Sequence, residues 1–77
     1  MKVKLPILKP REVISTLSKA GFIQRRQTGS HLIFLSPKTG KIVPVPIHVK
    51  DLKKGLLKAI IKEADLTTEE FLRILRK

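Results

Sequence analysis

The residues best suited to chemistry in this chain are Gly29-Ser30-His31, followed at once by Leu32-Ile33-Phe34. Glycine lets a backbone come close to a phosphate because no Cβ stands in the way. Ser30 adds a hydroxyl and a backbone N–H. Histidine is the residue type that both takes and gives a proton near neutral pH, so His31 is the natural proton carrier here. A lone histidine beside a turn is also often a surface residue without a role, and spacing alone leaves both readings open. The second group is Lys53-Lys54-Gly55, with Lys58 one turn further on. A helix start with free N–H groups and lysines around it suits a phosphate. Those lysines oppose the helix dipole, which prefers acids at that end. A solvated basic face is the plainer alternative. Arg25 and Arg26 fall on a predicted strand, where alternation sends them to opposite faces; one of them shares a face with His31. His48 is a possible second acid or base, or a plain loop histidine.

The elements that must position these groups follow from pattern. Pro10 suits the first turn of a helix, where its missing N–H has no helical partner anyway. Val13, Ile14, Leu17 and Ala20 recur at helical spacing, and Gly21 suits a left-handed stop. Residues 5–8 ahead of it read as extended chain. Residues 22–27, 30–36 and 41–47 read as strands joined by Thr28-Gly29 and Pro37-Lys38-Thr39-Gly40, with Gly29 expected at positive φ. Pro44 and Pro46 lack N–H groups on the same side, so the third strand is a sheet edge. Short loops demand an antiparallel meander. Asp51 is a suitable N-cap for a second helix with the stripe Leu52, Leu56, Ile60 and Ala64, widened by Leu57 and Ile61. Thr67-Thr68-Glu69-Glu70 announces a third helix by its capping box. The expected fold is α+β: α-β-β-β-α with an extra C-terminal helix, and helices on one face of a three-stranded antiparallel sheet.

Composition narrows the chemistry. The chain has 17 Lys and Arg against 6 Asp and Glu, a formal net charge of +11 over 77 residues. That favours a polyanionic partner. Residues 1–62 carry fourteen Lys and Arg against only Glu12 and Asp51, giving +12, whereas residues 63–77 balance to −1. There is no Cys, which excludes a disulfide scaffold or a Cys-ligated zinc module. Two His and scattered carboxylates give no expected metal site and no cofactor. With no Trp or Tyr and three Phe assigned to the core, stacking of bases on an exposed aromatic sheet is disfavoured. A Ser30-His31-Asp51 triad is discounted, because neighbouring residues on a strand face opposite ways. Residues 1–6 carry no long apolar run after their lysines, and no run approaches the ~18 residues of a membrane span. The expectation is one cytoplasmic domain over residues 1–77, with its core at about 9–64 and a helical extension at about 66–77.

With these residues in view, the chain resembles the HicA family of toxin–antitoxin mRNA interferases over nearly its whole length. The resemblance rests on residues 8–14 (Leu-Lys-Pro-Arg-Glu-Val-Ile), Ala20-Gly21-Phe22, Gly29-Ser30-His31 through Phe34, Val45-Pro46, Leu52-Lys53-Lys54-Gly55 and residues 57–61. It implies a fold like the double-stranded-RNA-binding domain, metal-independent cleavage of mRNA, and a HicB-type antitoxin partner that covers the site. It places the catalytic role on His31, with RNA-binding roles expected for Gly29, Ser30, Arg25, Arg26, Lys53, Lys54 and Lys58. One departure is visible: many relatives have a second His after the first, and here that position is Leu32.

Two other classes compete. A binding module without chemistry would grip duplex RNA by shape through Lys53, Lys54 and Lys58. A small ribosomal-type structural protein would also be basic, although such proteins often carry basic tails and this C-terminus is the acidic part.

Overall fold

The structure, a computed structural model, describes residues 5–77. Of the opening stretch read above for a targeting segment, residues 1–4 therefore lie outside the described residues. The order is α1 (Pro10–Lys19), β1 (Ile23–Gln27), β2 (His31–Leu35), β3 (Ile42–Pro46), α2 (Lys54–Glu63) and α3 (Thr68–Leu75). The three strands form one antiparallel sheet in the order β1-β2-β3. This is the expected α+β arrangement, like the double-stranded-RNA-binding domain with an added helix.

Local chemistry accounts for the helix ends. Pro10 opens α1, and the Glu12 carboxylate turns back to accept the Lys9 N–H at 2.8 Å. At the far end Gly21 takes φ +96, Gly21 N–H donates to the Ser18 carbonyl, and Phe22 N–H donates to the Leu17 carbonyl. This pair of bonds satisfies carbonyls that the ended helix leaves free. α2 ends the same way, with Asp65 at φ 60 in the glycine position and Leu66 N–H donating to Ile61. Thr67 caps α3: its hydroxyl accepts from Glu70 N–H at 3.0 Å, while Glu70 accepts from Thr67 N–H at 2.9 Å.

The start of α2 differs from the sequence reading. Its N-cap is Lys53, not Asp51, and no side chain caps it. The cause lies far away in sequence. Leu52 forms an isolated antiparallel bridge with Leu8, donating its N–H to the Leu8 carbonyl at 2.6 Å, and both side chains are buried. A backbone committed to that bridge cannot also begin a helix. The inward face of α2 is Leu57, Ile60 and Ile61, continued by the buried C-cap Ala64, while Leu56 is 42% exposed.

The sheet has one covered and one open face. Phe34, Val43 and Val45 point under the helices and are fully buried. The edge position of β3 is explained by its prolines. Ile47 N–H donates to the Ser30 carbonyl at 3.0 Å, so alternate residues face β2 while Pro44 and Pro46 direct their nitrogens outward. α3 is part of the core: Phe71 is fully buried, Leu72 is buried, and Lys19 Nζ donates to the Lys77 carbonyl. Among the described residues no helix is long and apolar enough to cross a membrane.

Candidate active site

The hairpin between β1 and β2 is held by one threonine. Thr28 N–H donates to the His31 carbonyl at 2.8 Å, and the Thr28 hydroxyl accepts the His31 N–H at 3.0 Å. Sequence reasoning passed over Thr28. The readable signal was a Ser/Thr hydroxyl placed to bond backbone groups just ahead of it in a turn.

Gly29 behaves differently from expectation. Positive φ among the glycines is confined to Gly21 and Gly40, and a Cβ at Gly29 would meet nothing within 4 Å. Among the described residues, neither backbone conformation nor packing therefore requires glycine there. The bonds of Thr28 shape the turn instead.

Ser30 and His31 meet side by side. Ser30 Oγ lies 2.9 Å from His31 Nδ1. Alternation along a strand does not forbid this contact, because β2 begins at His31 and Ser30 still belongs to the turn. The bond holds the ring through Nδ1 and leaves Nε2 without a hydrogen-bond partner among the described residues. Which group carries the shared proton follows the tautomer. No triad is completed: Asp51 lies 3.8 Å from Lys9 Nζ instead. His31 is half-buried on the open face, opposite Pro46 of β3.

Both arginines of β1 reach that face. The pairing with β2 slips between Gln24 and Arg26, so Arg25 is the additional residue of a bulge and Arg26 sits opposite Ile33. Two residues then oppose one, and simple alternation fails. Arg25 and Arg26 line a shallow depression together with Ile33, Leu35 and Ile42. The expectation of opposite faces is corrected accordingly. The same face exposes Ile23 and Ile42, which flank Leu35 on either side.

The lysines lie elsewhere. Lys53 and Lys54 stand exposed at the N-terminus of α2, whose first turn holds no acid. Gly55 is exposed, and a Cβ there would meet nothing within 4 Å. Lys58 lines a depression between α2 and α3 with Ile61, Lys62 and Leu66. Among the described residues no hydrogen bond or ion pair joins these lysines to the His31 hairpin. His48 is exposed one residue beyond Ile47, at the same end of the sheet as Ser30. No group of three His, Cys, Asp or Glu side chains able to hold a metal occurs among the described residues.

Residues 10–66, most of the chain, match the family model described as the HicA toxin of bacterial toxin–antitoxin. Comparison with curated proteins gives no match. The matched span contains α1, the whole sheet, the Gly29-Ser30-His31 hairpin and α2. It stops short of α3.

Proposed function

The chain belongs to the HicA family of toxins of bacterial toxin–antitoxin systems, and on that premise we propose that it is a metal-independent endoribonuclease that cleaves mRNA through His31. The observation that supports this most directly is the Ser30 Oγ contact to His31 Nδ1 at 2.9 Å. It orients a histidine on an open face that also carries two arginines, two residues after a glycine that leaves room for a backbone.

In the proposed reaction, His31 Nε2 takes the proton of a ribose 2′-hydroxyl. The freed oxygen bonds to the adjacent phosphorus, and the bond from phosphorus to the 5′-oxygen of the next nucleotide breaks. The products are a 2′,3′-cyclic phosphate and a 5′-hydroxyl. His48 or water returns a proton to the leaving oxygen. Arg25 and Arg26 stabilise the added negative charge, and backbone N–H groups near Gly29 assist. Lys53, Lys54 and Lys58 attract and hold the strand. Ser30 is a positioning residue for the imidazole. The partner is an acidic HicB-type antitoxin, steered to the basic surface and covering the open face.

The test is His31→Ala in purified toxin. RNA binding should persist while cleavage falls by ~10²–10⁴-fold, the usual contribution of a general acid–base group. EDTA should not inhibit, and an all-deoxy strand should not be cut. Cleavage at the wild-type rate by the alanine variant would remove His31 from the chemistry. A wild-type protein that binds RNA without cutting it would return the chain to the binding-module reading.

A further inference from the structure

A second group of cations lines a separate depression that shares no residue with the one lined by Arg25 and Arg26. The start of α1 and the connection after β3 enclose a shallow depression of about 410 Å³, lined by Lys9, Pro10, Arg11, Ile47, Val49 and Lys50. Its two walls are tied together. Leu8 N–H donates to the Leu52 carbonyl at 3.4 Å and Leu52 N–H to the Leu8 carbonyl at 2.6 Å, which holds Lys9 and Arg11 against residues 49–51. One wall also touches the candidate active site, because Ile47 N–H donates to the Ser30 carbonyl at 3.0 Å.

The charge in this depression is largely uncompensated. Asp51 approaches Lys9 at 3.8 Å, and the Glu12 carboxylate is turned onto the Lys9 N–H. Among the described residues neither Arg11 nor Lys50 forms an ion pair. The rest of the lining is apolar side chains, Pro10, Ile47 and Val49, of which Val49 is 39% exposed and Ile47 partly so. Cations interleaved with apolar side chains fit a strand whose phosphates meet the cations while its sugars and bases pack on the apolar groups.

We propose that this depression is a phosphate-binding extension of the RNA site, with Arg11 and Lys50 gripping the strand on one side of the scissile linkage. The proposal rests on the ribonuclease reading above. Attack by a 2′-hydroxyl requires its oxygen, the phosphorus and the leaving oxygen to come into line. A strand held on both sides of that linkage reaches this geometry far more often than one held on a single side. Arg25 and Arg26 grip one side, and Arg11 and Lys50 grip the other. An acidic protein segment is the competing occupant. RNA is favoured by the direct backbone link from this depression to Ser30.

The test compares wild type with the double variant Arg11→Gln/Lys50→Gln. Binding is measured to an unstructured RNA oligonucleotide carrying 2′-O-methyl groups throughout, which cannot supply the attacking hydroxyl, over a series of salt concentrations. Each phosphate contact to a single strand contributes about 0.7 to the slope of log K against log salt. Loss of two contacts should make the slope shallower by about 1.4, with the largest affinity loss at low salt. Arg73→Gln/Arg76→Gln, of equal charge change and lining a separate depression on α3, should leave the slope unchanged. Far-UV circular dichroism checks that both variants fold. An unchanged slope in the first variant, or an equal change in both, overturns the proposal. An unchanged slope with weakened antitoxin binding also overturns it and gives the depression to the protein partner. If wild-type protein binds and cleaves RNA while the slopes coincide, only this proposal fails. If wild type neither binds nor cleaves RNA, the ribonuclease reading itself fails.

Discussion

Replacing Gly29 by alanine separates what the fold needs from what a ligand needs. Gly29 is not at positive φ, and a Cβ there would meet no atom of the described residues within 4 Å. Alanine can therefore take the native conformation without strain. At such sites Gly→Ala stabilises by ~0.4–1 kcal/mol, because the unfolded chain loses freedom. For a domain of this size that is an increase of roughly 2–8 °C in Tm. Gly21→Ala is the internal control. At φ +96 an L-residue pays about 1–2 kcal/mol for the left-handed conformation, so Tm should fall. Activity should move against stability at Gly29. A methyl group between the hairpin and an approaching phosphodiester displaces it by about an ångström, and a misplacement of that size costs up to ~10²-fold in rate. Differential scanning fluorimetry reads the stability, and single-turnover cleavage of a fluorescent RNA reads the chemistry. A Gly29→Ala protein that is more stable and cuts at the wild-type rate would refute close approach at the hairpin. One that is less stable would refute the hairpin conformation on which the expectation rests.

Two further outcomes bear on the helices. Phe71→Ala should cost about 3–5 kcal/mol, the usual loss for emptying a fully buried phenylalanine site, out of a total of about 4–12 kcal/mol for a chain of this length; urea denaturation measures it, and a loss below about 1 kcal/mol would mean that α3 is not part of the core in solution. The Thr67 backbone N–H, then the Thr67 hydroxyl, then Arg73 hold the Glu70 carboxyl below its ordinary 4.5. A lowered folded value means that its stabilising contribution is whole above pH 4.5 and is lost as pH falls through the lowered value. Tm against pH should therefore drop less steeply below 4.5 in Glu70→Gln than in wild type, and parallel curves would contradict this.

What the sequence disclosed was local, and what it concealed was long-range. Pro10, Gly21, Gly40 and the Thr67–Glu70 box act within a few residues of themselves, and the structure places each as read. Pro44 and Pro46 mark the edge strand because a missing N–H is a property of the residue alone. Asp51 is different. Its type suits an N-cap, but the Leu8–Leu52 bridge competes for the same backbone, and nothing near Asp51 in sequence announces Leu8. Alternation forbids the Ser30–His31 contact only when it is extended one residue beyond the strand. Alternation sends Arg25 and Arg26 to opposite faces because it counts residues evenly, whereas a bulge inserts one that does not count. In both cases the departure from regular pairing falls among the candidate site residues. Bulges are enriched beside active sites for this reason: they aim side chains that regular pairing would turn away.

β1 carries the point further. All five of its residues are exposed, so it contributes backbone pairing and almost no core. A strand that buries little is weakly demanded by stability, and its place in the fold calls for another reason. The bulge supplies one, because it brings Arg25 and Arg26 to the depression that Ile33 and Leu35 also line. That face unites two unlike chemistries, cations suited to phosphate and an apolar row from Ile23 through Leu35 to Ile42. RNA answers the cations and leaves the row largely uncovered. A protein with carboxylates at its rim and apolar side chains at its centre answers both. On the proposed reading, the apolar row is therefore what lets an antitoxin outbid RNA for the arginines. It occupies the same cations and gains, in addition, apolar burial that the substrate cannot match.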